Sequence, residues 1–152
     1  MDLTVNPKVD ISDTTPLTLG GVEFRVAPLV LRQTSKIGPQ SANVLAILKR
    51  RVQAFTDHAD VALALANPET ASTVDAEQYL RAMALSEPDA MMLLGIIHVG
   101  LTRVYPRLTL DDLLDLPAKS ADLLEAANTI MLASGAAEKK AVSPGEAQAA
   151  SR

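Results

Sequence analysis

The sequence predicts a mainly α-helical protein: one small N-terminal two-stranded β-hairpin packed on a bundle of about five to six helices. Three observations carry this. Strict apolar alternation occurs once, around Gly20-Gly21. After residue 29 the apolar residues recur at steps of three and four, the period of helices with one buried face. Aromatic residues make up only 3% of a chain that is 48% hydrophobic, and tryptophan is absent. The core must therefore be built from Leu, Val, Ile, Met and Ala, as is common in helical proteins.

Residues 1–14 are polar and aperiodic, with two Asp-containing turns, and read as a flexible arm. The hairpin is expected over 16–28. Gly20-Gly21 supplies the positive φ angles of a tight turn. Leu17 and Leu19 before the turn, and Val22, Phe24 and Val26 after it, form one dry face, bracketed by Pro16 and Pro28. A lone hairpin is marginal, so that face must cover helices.

The helical part is expected over 29–135. A short helix covers Leu29 to Lys36 and stops at Gly38-Pro39. A long one runs from about Ala42 to Ala66. Its expected apolar stripe is Leu45, Leu48, Val52, Phe55, Ala59 and Ala62, and its natural break point is Asp57-His58. Asn67 to Thr73 reads as a loop. The next helix, Val74 to Leu85, turns Tyr79, Leu80, Met83 and Ala84 inward. Ser86 caps the helix after it, with Pro88 in the first turn and Asp89 in the position of a weak capping box. This helix runs to about Val104 and is apolar nearly all round, the mark of a core helix. Gly95 and Gly100 each cost up to about 1 kcal/mol of helix propensity, so each is expected to admit a close neighbouring helix. Thr109 caps a short helix from Leu110 to Leu116, and a last helix covers Ala118 to Ser134. The last helix buries Leu123, Ala126, Ala127, Ile130 and Met131, with Gly135 at its C-terminal cap. Residues 136–152 are rich in Ala, Ser, Gly, Pro and charge and read as a disordered tail. Residues 15–135 then form a single domain.

The net charge of −4 lacks the basic footprint of a duplex binder. The absence of cysteine excludes disulfides, thiolate catalysis and cysteine–metal sites. The N-terminus has no basic and apolar regions of a secretory signal. The apolar run Ala90–Leu101 is 12 residues long, short of the roughly 20 needed to span a bilayer. No membrane and no nucleic acid are expected as partners, and no cofactor or metal is implied.

No motif calls for catalysis. His58 and His98 lie in different helices without a carboxylate at a suggestive spacing, and His98 reads as a core or groove histidine with a backbone or hydroxyl partner. Asp111 and Asp115 are one turn apart and could share a divalent ion, but the Thr109 cap already explains Asp111 and Asp112. Lys49-Arg50-Arg51 lacks neighbouring aromatics for base stacking and reads as a solvated helix surface. Gly20-Gly21 has neither the Walker ending nor dinucleotide-motif spacing. The methionines differ in kind. Met91-Met92, with Met83 and Met131, read either as plain core packing or as flexible, polarizable surface of the sort used on adaptable binding faces. Met83, Met91, Met92, Ile96 and His98 are the candidate partner-binding residues, forming a groove for an apolar helix.

Two segments resemble the tail assembly chaperones of long-tailed bacteriophages and related gene transfer agents. Leu17-Thr18-Leu19-Gly20-Gly21-Val22-Glu23-Phe24-Arg25-Val26-Ala27-Pro28-Leu29 is similar to that family's opening strand, glycine turn, second strand and Pro-Leu step into helix. Tyr105-Pro106-Arg107-Leu108-Thr109-Leu110-Asp111-Asp112-Leu113-Leu114-Asp115-Leu116 is similar to its late Tyr/His-Pro, Thr, two-acid, Leu element. The resemblance covers about residues 16 to 135, the middle in pattern only. It implies a non-enzymatic chaperone in the host cell cytoplasm that binds the tape measure protein and supports polymerisation of tail tube protein around it. The alternative is a structural minor tail or head-completion protein retained in the virion. Further alternatives are a small helical enzyme or metal-dependent regulator using His98 or the Asp111/Asp115 pair, and a nucleic-acid binder. The high apolar content also leaves room for a homo-oligomer.

Overall fold

The computed structural model describes residues 1–65 and 73–134. The expected loop up to residue 72, the Gly135 cap and the tail 136–152 lie outside the described residues. The fold is mainly α with one N-terminal hairpin. β1 (Thr15–Leu19) and β2 (Val22–Val26) pair antiparallel, with Leu17 opposite Phe24 and Leu19 opposite Val22. Gly20 and Gly21 have φ of 58° and 78°, as the turn requires. A Cβ on Gly20 would lie 2.8 Å from the Leu116 Cβ, so the turn is also held against the body. Leu17, Leu19, Phe24 and Val26 are buried, while Val22 is only half-buried.

The helices are α1 (Leu31–Ile37), α2 (Ser41–Asp57), α3 (Ala59–Leu65), α4 (Thr73–Met83), α5 (Glu87–Leu101), α6 (Leu110–Leu114) and α7 (Ser120–Ala133). A single 3-10 turn at Gly38–Gln40 joins α1 to α2. The long helix does break where the sequence suggested, at His58. α5 is the hub: it packs on α7, α1, α6 and β2, and α7 also meets β1. Leu93, Ile97 and Leu101 of α5 and Ile130 of α7 are fully enclosed.

Residues 1–14, expected as a flexible arm, are laid along the body instead. The Asn6 backbone N–H donates to the Val104 carbonyl at 2.7 Å, its side-chain amide to the Arg103 carbonyl at 3.1 Å, and Leu3 and Val9 pack on the core. The two Asp turns are formed: hydrogen bonds from Thr4 to Asp2 and from Ser12 to Asp10 hold both carboxyls below the usual carboxylate range.

The expected inward stripe of α2 holds at Leu48, which is half-buried against the core, and is otherwise corrected; the Ala62 side chain lies outside the described residues. The buried residues are Val44, Ile47 and Ala54, with Arg51 half-buried, whereas Leu45, Val52 and Phe55 are 44%, 66% and 55% exposed and Ala59 is exposed. On α4, Tyr79 and Met83 are half-buried, but Leu80 and the following Ala84 are exposed, not inward. Arg51 explains part of this shift. Its guanidinium donates to the Met83 carbonyl, while Arg50 donates to the Ala84 carbonyl at 3.3 Å. Two of the three residues read as a solvated basic run thus cap the C-terminus of α4, where a helix presents unpaired carbonyls and negative partial charge.

The stretch Ala76–Leu101 spans 26 residues and is apolar on average. By length and composition it could cross a membrane, a longer apolar stretch than the 12-residue run considered above. In this fold it is divided by non-helical residues 84–86, and its second part supplies the core.

Candidate partner-binding groove

α5 starts at Ser86, whose hydroxyl accepts the Asp89 backbone N–H at 3.2 Å. The Asp89 carboxylate does not complete a capping box. It faces Arg50 of α2 at 3.6 Å. At the other end of α5, the Gln33 side-chain amide donates to the Val99 carbonyl at 2.7 Å, and its carbonyl oxygen accepts the Val30 N–H at 3.1 Å. Gln33 is buried, and these two bonds satisfy it in place of water. Between these two tethers α2 and α5 stand apart and leave an open groove of about 980 Å³. Its floor and walls include Met91, Met92, Gly95, Ile96 and Val99 from α5, and Ile37, Asn43, Ala46 and Ile47 from the α1–α2 side.

Three of the five candidate residues therefore share one site. Met91 is 39% exposed, Met92 is half-buried, and Ile96 reaches the groove from the core. Met83 and His98 are not part of it. Met83 is half-buried at the end of α4. His98 Nε2 bonds the Leu108 carbonyl at 2.9 Å. A carbonyl only accepts, so that nitrogen carries the proton. The histidine ties α5 to the segment before α6. Met131 is buried in the core.

The two glycines of α5 differ. A Cβ on Gly100 would lie 2.4 Å from Ile130 Cδ1, the close helix approach expected of it. A Cβ on Gly95 would meet nothing within 4 Å. Gly95 does not admit a neighbour; it deepens the groove. Gly95→Ala is accordingly expected to raise stability by up to about 1 kcal/mol through helix propensity. Thermal unfolding by circular dichroism checks this, and a fall in Tm would show that the position is not open.

The acidic cluster is absorbed by capping. The Thr109 N–H donates to Asp112 at 3.0 Å, and the Asp112 N–H donates to the Thr109 hydroxyl at 3.2 Å. That reciprocal box starts α6 and holds the Asp112 carboxyl below its ordinary range. Asp115 stands at the other end of α6, where its backbone N–H donates to the Asp111 carbonyl at 3.2 Å and its carboxylate takes no part in the cap. Among the described residues no three His, Asp or Glu side chains are grouped as metal ligands would be.

The α1–α2 wall was not legible in advance. Asn43, Ala46, Ile47 and Arg50 follow helical spacing but mix polar, small and apolar types, so no hydrophobic pattern marks them. The hairpin and the Tyr105 segment, the two stretches that carry the family resemblance, meet in space. The Phe24 and Tyr105 rings stand edge to face with centroids 5.9 Å apart, and the Tyr105 hydroxyl accepts the Arg25 backbone N–H at 2.8 Å. No family model matches this chain, and neither a curated protein nor a solved structure matches it.

Proposed function

We propose that this protein is a non-enzymatic binding protein that receives an apolar helix of a partner in the groove between α2 and α5. In the reading favoured by the family resemblance, it is a tail assembly chaperone acting on the tape measure protein, with tail tube protein as the further client, in the host cell cytoplasm. The observation that carries the reading is the groove itself. It is open, about three helical turns long from Pro88 to Val99, and lined by two methionines able to repack around different side chains. A helix laid in such a groove is a recurrent mode of peptide recognition. Shielding an aggregation-prone helical client requires this kind of adaptable apolar contact.

Co-expression with the tape measure protein encoded nearby tests the reading. The expected result is a soluble client that co-purifies with this chain. Met91→Asp or Met92→Asp should abolish co-purification, because each places a charge against the client's apolar stripe, while circular dichroism shows the helices retained. An insoluble client, with this chain found instead in purified particles, would replace the chaperone by the structural virion protein.

A further inference from the structure

Charge along this chain is strongly segregated. Residues 24–56 hold six of the fourteen basic residues and none of the eighteen acidic ones, although the whole chain is at −4. α1 and all of α2 except its last residue, Asp57, lie within this stretch. Arg32 and Lys36 are exposed and one turn apart on α1, and Lys36 lines the groove near the end where Gln33 meets Val99. The charged side chains lining the groove are Lys36, Arg50 and Asp89. Asp89 is matched with Arg50, so Lys36 is left as the groove's unmatched charge among the described residues. The α1 side of an apolar groove thus carries one unmatched positive charge, Lys36, with Arg32 one turn away, on a chain whose net charge is −4.

Resting on the helix-receiving role proposed above, we infer that the occupant is an amphipathic helix of a partner whose apolar stripe is flanked by carboxylates on the edge facing α1 and Lys36. An aspartate or glutamate there is attracted to Lys36, and the docked helix would itself exclude part of the water that screens the pair. A lysine there meets like charge, which complementary interfaces avoid. The chain's own remaining segments do not supply this helix: residues 66–72 and 135–152 contain no Leu, Ile, Met or Phe.

Two fluorescent peptides of about five helical turns, with the same leucine stripe and either glutamate or lysine at every flanking position, provide the test. Binding is read by fluorescence anisotropy with the full chain at low and high salt. Overall charge favours the lysine peptide, so a preference for the glutamate peptide can arise only from the local field. The expected result is a preference for the glutamate peptide of about tenfold or more at low salt, shrinking as salt screens it. The doubly substituted Arg32→Glu, Lys36→Glu chain should lose that preference and still bind the apolar stripe. Gly95→Leu, which fills the groove where no neighbour stands, should weaken both peptides. Equal binding of the two peptides, both blocked by Gly95→Leu, would overturn the charge assignment and leave the groove intact as a helix receptor. Binding of neither peptide, or binding indifferent to Gly95→Leu, would overturn the helix-receiving groove and this inference together.

Discussion

Phe24→Ala is expected to lower the unfolding free energy by about 3–5 kcal/mol, the cost of removing a large buried aromatic and leaving a cavity. The ring is fully buried, stands edge to face with Tyr105, and lies opposite Leu17 in the hairpin. A two-stranded sheet has little stability of its own, so the hairpin holds its place through this contact and its neighbours on α5 and α7. For a domain with about 5–15 kcal/mol in total, the loss is a large fraction of the whole. Urea unfolding followed by circular dichroism measures it. Phe24→Leu, which retains much of the volume, should cost clearly less. If Phe24→Ala moved the midpoint no further than a surface substitution does, the hairpin would not be an integral part of the core.

Gly100→Ala is the second large expectation, and it runs opposite to Gly95→Ala in the same helix. The new methyl group would sit 2.4, 2.6 and 2.9 Å from Cδ1, Cγ2 and Cγ1 of Ile130. Rotating the end of the side chain relieves only the first contact, because the other two atoms are bonded to the Ile130 Cβ. Ile130 is fully enclosed, so the helices must part or the side chain must leave its rotamer, at about 1–3 kcal/mol. The gain in helix propensity of up to about 1 kcal/mol offsets part of this. A double-mutant cycle isolates the clash. Gly100→Ala should be destabilising beside Ile130 but neutral or stabilising in an Ile130→Ala background. Equal effects in both backgrounds would show that α5 and α7 do not touch there.

The contrast between these glycines marks the boundary of what the sequence discloses. Both sit in one apolar helix, and the helical pattern treats them alike. Only the position of α7 distinguishes a glycine that admits a neighbour from one that deepens a groove. The same holds for α2. Leu45, Leu48, Val52 and Phe55 recur at steps of three and four, and so do Val44, Ile47, Arg51 and Ala54. The more apolar set is the natural choice from sequence. The structure buries most of the other set instead, and on that side Arg51 and Arg50 meet the α4 carbonyls at Met83 and Ala84. The candidate groove was half legible: the methionine pair and Ile96 on α5 stood out, but the mixed α1–α2 wall carried no pattern, and His98 and Met83 lie elsewhere.

Elements with local causes can be read directly from the chain. The Gly20-Gly21 turn depends on two backbones free to take positive φ. The hairpin alternation follows from strand pleating. The starts of α5 and α6 depend on Ser86 and Thr109 accepting a hydrogen bond from a backbone N–H three residues ahead. Each needs only a few neighbouring residues. Long-range packing sets which face of α2 is buried, where the first fourteen residues lie, and that α2 and α5 stand apart around Gly95. Those outcomes depend on groups tens of residues distant, such as Asn6 with Val104 and Gln33 with Val99. The physical reason is that a helical period specifies a stripe, whereas the neighbour that covers it is chosen by packing and by where unpaired polar groups find partners.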